Sequence, residues 1–86
     1  MSKNITNKII EEIAVLGKND SGYTKEINIV SWNDGPAKFD IREWHPGREK
    51  SGKGITLTEV QTRNLLDALK EYFKEKGETD ETNTKN

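Results

Sequence analysis

Two tryptophans and a scatter of basic side chains are the residues of this sequence best suited to chemistry. Trp32 and Trp44 close two stretches of alternating polarity, YTKEINIVSW over residues 23–32 and AKFDIREWH over residues 37–45. In an extended strand successive side chains point to opposite faces. That parity puts Trp32 beside Asn28 and Val30, and Trp44 beside Lys38, Asp40 and Arg42, on the face opposite Ile27, Ile29, Phe39 and Ile41. Single-stranded nucleic acid is held by cations that follow phosphates and by aromatic faces that stack on bases. Lys38, Arg42, Arg48, Lys50 and Lys53 supply the first, and Trp32, Trp44 and Tyr23 the second. Two plainer roles fit the same residues. A cross-strand aromatic pair stabilises a hairpin with no ligand present, and lysine and arginine on a sheet face ordinarily form a solvated surface. An open sheet face that recruits a partner protein instead of nucleic acid is the alternative function.

Enzyme chemistry is poorly served. Nucleophilic or acid–base catalysis through histidine would rest on His45 alone, at a strand end between Trp44 and Pro46. Asp40 and Glu43 fall on opposite faces of their strand, so they cannot flank one bond. Gly47, Gly52 and Lys53 have the spacing of a phosphate-cradling loop, but Gly54 stands where the magnesium-binding hydroxyl belongs and a strand follows instead of a helix. With no cysteine and one histidine, neither a cysteine-based zinc site nor a histidine-rich one is available. No cofactor, no metal and no catalytic residue is expected.

The elements that must position these side chains follow from the rest of the chain. Residues 8–18, KIIEEIAVLGK, fit both helical spacing and an imperfect alternation; the turn-forming run Asn19-Asp20-Ser21-Gly22 favours a strand. Asn33-Asp34-Gly35-Pro36 is a second turn, with a positive φ expected at Asp-Gly. PGREKSGK, residues 46–53, is a basic loop, and residues 54–57 make a short last strand. Thr58 and Gln61 form a capping box that opens a helix carrying Leu65, Leu66, Leu69, Tyr72 and Phe73, with Gly77 placed to end it. The expected fold is therefore α+β: four antiparallel strands followed by one C-terminal helix, with the sheet's other face left open.

The chain has 86 residues, 14 Lys and Arg against 15 Asp and Glu, and a formal net charge of −1. Leu, Ile, Val and Phe number 18, and a small core nets little stability. Without disulfides or metal, association is the remaining remedy, so a homodimer is expected. Residues 1–7 and 77–86 are poor in apolar side chains and are expected to be disordered tails around a domain at 8–76. No apolar run approaches a membrane span and no leader pattern opens the chain, which makes a cytoplasmic protein the expectation.

From Phe39 onward the residues carry a recognisable pattern. Phe39-Asp40-Ile41-Arg42-Glu43-Trp44, then Gly52-Lys53-Gly54-Ile55-Thr56-Leu57, then the helix from Thr58 resemble the C-terminal domain of the positive cofactor four family of transcriptional coactivators. With EINIVSWN beside them, residues 23 to 73 look most like the bacterial YdbC group of that family. The resemblance implies a homodimer joined through the C-terminal helices, each curved sheet holding single-stranded DNA, and plausibly RNA, with little sequence preference in transcription, replication or repair. It matches Arg42 to the family's strand arginine, Lys53 to its loop lysine, Trp32 to its strand-end aromatic and Lys25 to a basic position in the same strand. Lys38 rests on alternation alone. Where the family has a second aromatic after Trp44, this chain has His45. The nucleic-acid-binding residues expected are thus Lys25, Trp32, Lys38, Arg42, Trp44 and Lys53.

Overall fold

The computed structural model describes residues 6–77. The expected tails lie outside the described residues except for Thr6, Asn7 and Gly77, and of these Asn7 already opens a strand. Four strands, β1 (Asn7–Lys18), β2 (Thr24–Trp32), β3 (Ala37–Trp44) and β4 (Ser51–Leu57), precede a single helix, α1 (Glu59–Glu75). The strands form one antiparallel sheet in the order β1-β2-β3-β4. Thr58 caps α1 as expected: its hydroxyl accepts from the Gln61 backbone N–H at 3.0 Å and the Gln61 side-chain Oε1 accepts from the Thr58 N–H at 2.9 Å.

The ambiguous first segment is a strand of an unusual kind. Its 12 residues pair with only 9 in β2, and register shifts fall between Ile9 and Glu11, Glu12 and Ala14, and Val15 and Gly17. The inserted residues are Ile10, Ile13 and Leu16, a spacing of three that mimics a helix face in the sequence. Bulges bend a strand and raise its twist. The middle one is secured by Asn28, whose Oδ1 accepts from the Ile13 N–H at 3.3 Å. The β2–β3 turn differs from expectation in one detail. Positive φ falls at Asn33 (51°) and Asp34 (62°) rather than at Gly35, the two central residues of a type I′ turn closed by the Gly35 N–H on the Trp32 carbonyl.

The sheet is strongly curled. Trp44 stands in register with Thr24, at the far end of β2 from Trp32, roughly 26 Å away along an extended strand. Yet the two indole centroids lie 6.4 Å apart and almost parallel. Such a meeting requires the face that bears both rings to be concave. Curling reverses the expected pattern of burial. The fully buried side chains, Val30, Trp44, Asn28 and Asp40, all project from the concave face. Ile27, Ile29, Phe39 and Ile41, on the convex face toward α1, are only half-buried. The face opposite the helix stays free of any other element, as expected, but its curl buries several of its own side chains, and the apolar face toward α1 is the less buried of the two.

At the β1 end of the concave face a buried carboxylate ties three segments together. Glu26, 3% exposed, accepts from Thr24 Oγ1 at 2.6 Å, Asn28 Nδ2 at 3.0 Å and Arg48 Nη2 at 2.9 Å. Arg48 reaches it from the loop after β3 and also donates to Glu12 in β1 at 3.0 Å. Burial by itself would raise the Glu26 pKa, but the three hydrogen bonds and the Arg48 charge outweigh it and hold the carboxyl below its ordinary value of 4.5. The same contacts, led by the Glu26 hydrogen bond, raise the Arg48 pKa. A carboxylate with a depressed folded-state pKa contributes stability that is complete above its unfolded value and lost as pH falls through the folded one. Glu26→Gln is accordingly expected to be less stable at neutral pH and to show a flatter decline in melting temperature below pH 4.5. Parallel acid limbs for the two proteins, followed by circular dichroism, would contradict this assignment.

Candidate nucleic-acid interface

On the concave face, toward the β2–β3 turn, Trp32, Pro36, Lys38, Arg42, Ser51, Gly52 and Thr56 line an open cleft of about 500 Å³. Three of the four strands, β2, β3 and β4, contribute to it. Trp32 ends β2 on this face, Lys38 and Arg42 lie at even positions of β3, and Thr56 and Gly54 of β4 stand in register with Asp40 and Arg42. Gly54 is required by closeness: a Cβ there would lie 2.5 Å from the Ile41 carbonyl oxygen and 2.6 Å from Arg42 Cβ. The strands approach so tightly because the β3–β4 register slips between Arg42 and Trp44, which adds to the curl.

Beneath the cleft lies Asp40, with no solvent exposure. Its carboxylate accepts from Arg42 Nη2 at 2.8 Å, from Arg42 Nε at 3.1 Å and from Trp32 Nε1 at 3.2 Å. Arg42 Nη1 donates to the Gly52 carbonyl at 3.0 Å, and the guanidinium carbon sits 4.6 Å from the Trp32 ring centroid. Indole, guanidinium and carboxylate form one rigid unit, since cation–π attraction, a bidentate ion pair and a neutral hydrogen bond fix each member twice.

Of the six residues expected from sequence, Trp32, Lys38 and Arg42 meet in the cleft. Trp44 is on the predicted face, but it is 1% exposed and packs parallel to Trp32. So placed, it has no exposed ring face and lies behind Trp32. Its Nε1–H has no hydrogen-bond partner among the described residues, a cost with no evident structural return. Lys25 pairs in register with Gly17 and Glu43 and lines a separate groove with Leu16, Lys18 and Tyr23. Parity places it on the convex side, away from the cleft. Lys53 is exposed in the irregular part of β4 between Gly52 and Gly54, at the cleft's margin rather than in its lining. Arg48, counted among the loop cations, is occupied by Glu26 and Glu12. Sequence reasoning missed Asp40, Pro36, Ser51 and Thr56. Asp40 carried the one usable signal, because an acidic residue inside an alternating central strand must find a partner when buried.

The described residues contain no group of acidic, histidine or cysteine side chains arranged to hold a metal ion, and none of their helices is long and apolar enough to cross a membrane. Comparison with known proteins gives two findings. Residues 19–68, more than half of the chain, match the family described as Transcriptional Coactivator p15 (PC4). The matched stretch runs from the β1–β2 turn into α1, so it contains every residue of the cleft and omits β1. The chain is also similar to an uncharacterized protein of Treponema pallidum (strain Nichols), 43% identical over 54 residues, or 63% of this chain. It spans 64% of that relative's length.

The tight packing at Gly54 makes a direct test of the cleft's geometry. Gly54→Ala is expected to destabilise the fold by about 1–3 kcal/mol through overpacking and to perturb the near-ultraviolet tryptophan signal. Gly17→Ala is its control, with open space around the added methyl, and is expected to stay within about 0.5 kcal/mol of the parent. Equal denaturation midpoints for the two variants would show that β3 and β4 are not in such close contact.

Proposed function

The chain belongs to the Transcriptional Coactivator p15 (PC4) family, a DNA-binding and non-enzymatic family, and from that premise we propose that its concave face holds single-stranded DNA with little overall sequence preference. The observation that carries this reading is the cleft itself: an aromatic face, Trp32, set beside Lys38 and Arg42 on the family-matched part of the sheet. A base stacks on the part of the half-buried Trp32 ring that Arg42 and Trp44 leave uncovered, while Lys38 inside the cleft and Lys53 at its rim meet the flanking phosphates. Trp44 supports the stack from below. Duplex DNA is a poor fit, because paired bases do not offer a ring face to a side chain within a concave surface.

The same reading includes a homodimer formed through α1. Leu66, Leu69, Tyr72 and Phe73 are each 46–54% exposed, and Leu65, Leu66 and Leu69 line an apolar gap with Ile13, Ile27 and Phe39 of the convex face. With only Val30 and Trp44 as fully buried apolar side chains among the described residues, a second copy is the natural cover. The radius of gyration, 15.3 Å, against roughly 12 Å for a compact chain of this length, agrees with an element that projects toward a partner. Two antiparallel sheets would then present two strands' worth of binding surface, suited to melted duplex. Work on DNA in the cytoplasm, in transcription, replication or repair, is the setting this implies.

Trp32→Ala is expected to weaken binding of a short oligo-dT by about 1–3 kcal/mol, the usual contribution of one stacked base, with the fold retained. Trp44→Ala should instead lower stability by about 3–5 kcal/mol, as removal of a buried indole does. Tryptophan fluorescence of the parent should be quenched by single strands and not by duplex, with affinity falling as salt rises. No response to either nucleic acid would favour a protein partner on the same face. Leu66→Asp or Tyr72→Asp is expected to give a monomeric or unfolded species by light scattering, and a monomeric parent would defeat the dimer.

A further inference from the structure

Within the proposed single-strand site, Arg42 differs from the lysines in a way that bears on what it touches. Its side chain is 15% exposed, and it is paired to a carboxylate with no exposure at all. The Asp40–Arg42 pair is therefore electrically neutral as a unit. A phosphate brought to this guanidinium would gain the attraction of one charge and meet the repulsion of the other at nearly the same distance. Lys38, exposed and outside the ion pairs of the described residues, has no such handicap.

Neutralisation does not remove the donors. Of the five guanidinium N–H groups, Nε and one on Nη2 face Asp40 and one on Nη1 faces the Gly52 carbonyl. Two remain, one on each terminal nitrogen. The guanidinium plane is held over Trp32 at 4.6 Å, and the carboxylate that holds it also fixes the indole through Nε1. A base stacked against this platform would bring its edge, not its phosphate, to the two remaining donors. Arg42 lines the cleft, and donors on its two neighbouring terminal nitrogens suit two adjacent acceptors; the guanine edge offers such a pair as O6 and N7, whereas adenine sets a donor beside N7 and thymine has a lone O4 there. Cytosine has adjacent N3 and O2, but its single ring offers less surface to stack on Trp32.

We propose that Asp40 is a positioning residue that turns Arg42 from a phosphate anchor into a reader of an unpaired guanine edge on the Trp32 platform. The preference is local: one guanine-favouring position within a site that otherwise tolerates any base. It rests on the single-strand reading given above and refines it.

The test uses the full chain and fluorescence anisotropy with three labelled oligonucleotides: oligo-dT, the same strand with one central guanine, and the same strand with 7-deazaguanine, which lacks the N7 acceptor. The guanine strand is expected to bind about 5- to 100-fold more tightly than oligo-dT, the range of one bidentate base contact, and 7-deazaguanine to fall back to the oligo-dT value. Arg42→Lys keeps the charge and loses the fork, so the guanine preference should vanish while the salt dependence on oligo-dT is unchanged. Asp40→Asn exposes the Arg42 charge, so the preference should shrink and the salt slope on oligo-dT steepen by about 0.7, the value of one added phosphate contact on a single strand. Equal affinity for all three strands, or a guanine preference that survives Arg42→Lys, overturns the proposal. So does a salt slope that flattens by about 0.7 in Arg42→Gln, since that marks a phosphate anchor. If Asp40→Asn does not fold, the 7-deazaguanine comparison on the parent and on Arg42→Lys decides alone. Failure to bind any of the strands defeats the single-strand reading itself, whereas binding without guanine preference defeats only this refinement.

Discussion

Curvature is the constraint from which the rest of this molecule follows. Two indoles that begin near opposite ends of adjacent strands end up stacked 6.4 Å apart, and only a sheet bent toward that face allows it. The bend has identifiable sources. Three extra residues in β1 and a register slip between β3 and β4 each add local twist and bend. Gly54 removes the one Cβ that would keep β4 away from Arg42. A flat sheet of the same sequence would leave Trp32, Arg42 and Trp44 as separate exposed residues with no cleft between them.

Closing a charged face on itself has a cost, and the molecule meets it by giving each of two buried carboxylates, set diagonally across the β2–β3 pair, its own partners. Asp40 is answered by Arg42 and Trp32, and Glu26 by Arg48, Thr24 and Asn28. A buried ion pair seldom adds much net stability over an apolar pair of the same size, but removing one partner is expensive because it strands the other. Such pairs therefore restrict which arrangements are tolerated more than they stabilise the one adopted. Here they specify which rings meet and where the loop after β3 lies. Arg48 holds that loop in a conformation with φ of 58° at its own backbone, a position a non-glycine residue adopts only when its surroundings compensate. Glu26 and Glu12 are that compensation.

Much of this was legible in the sequence, and where it was not, the reason is physical. Two-residue alternation located β2 and β3 and put Trp32, Trp44, Lys38 and Arg42 on one face, because parity is a local property of extended backbone. The capping box at Thr58 and Gln61 located the helix start for the same reason. β1 was ambiguous because Ile9, Ile13 and Leu16 fit helical spacing, while bulges at Ile10, Ile13 and Leu16 break the two-residue alternation. What alternation does not encode is curvature, which depends on strands adjoining through residues far apart in the chain. So Trp44 looked exposed and is buried, and the open face buries more of its own side chains than alternation suggests. Lys25 shares parity with Ile27 and Ile29 and lines a groove apart from the cleft. Ion pairing was equally hidden, since nothing near Arg48 in the sequence points to Glu26, 22 residues away.

Curvature also changes what the near-neutral composition means. From residue 23 to residue 54 the chain carries six cations and five anions, a balance that by simple counting offers little to a polyanion. Two of the six cations, Arg42 and Arg48, are occupied by internal carboxylates, and Lys25 lies on the other face. Lys50 is exposed in the loop before β4, outside the cleft lining, and the cleft keeps Lys38, with Lys53 at its edge, as charge directed outward. A site with so few uncommitted cations cannot hold a duplex by charge alone. On the proposed reading most of the free energy comes from an unpaired base laid on the Trp32 ring, the part of a nucleic acid that can lay its face on an indole. The neutralised Arg42 would then help, since an uncompensated cation beside Trp32 would draw phosphate into the position that base has to occupy.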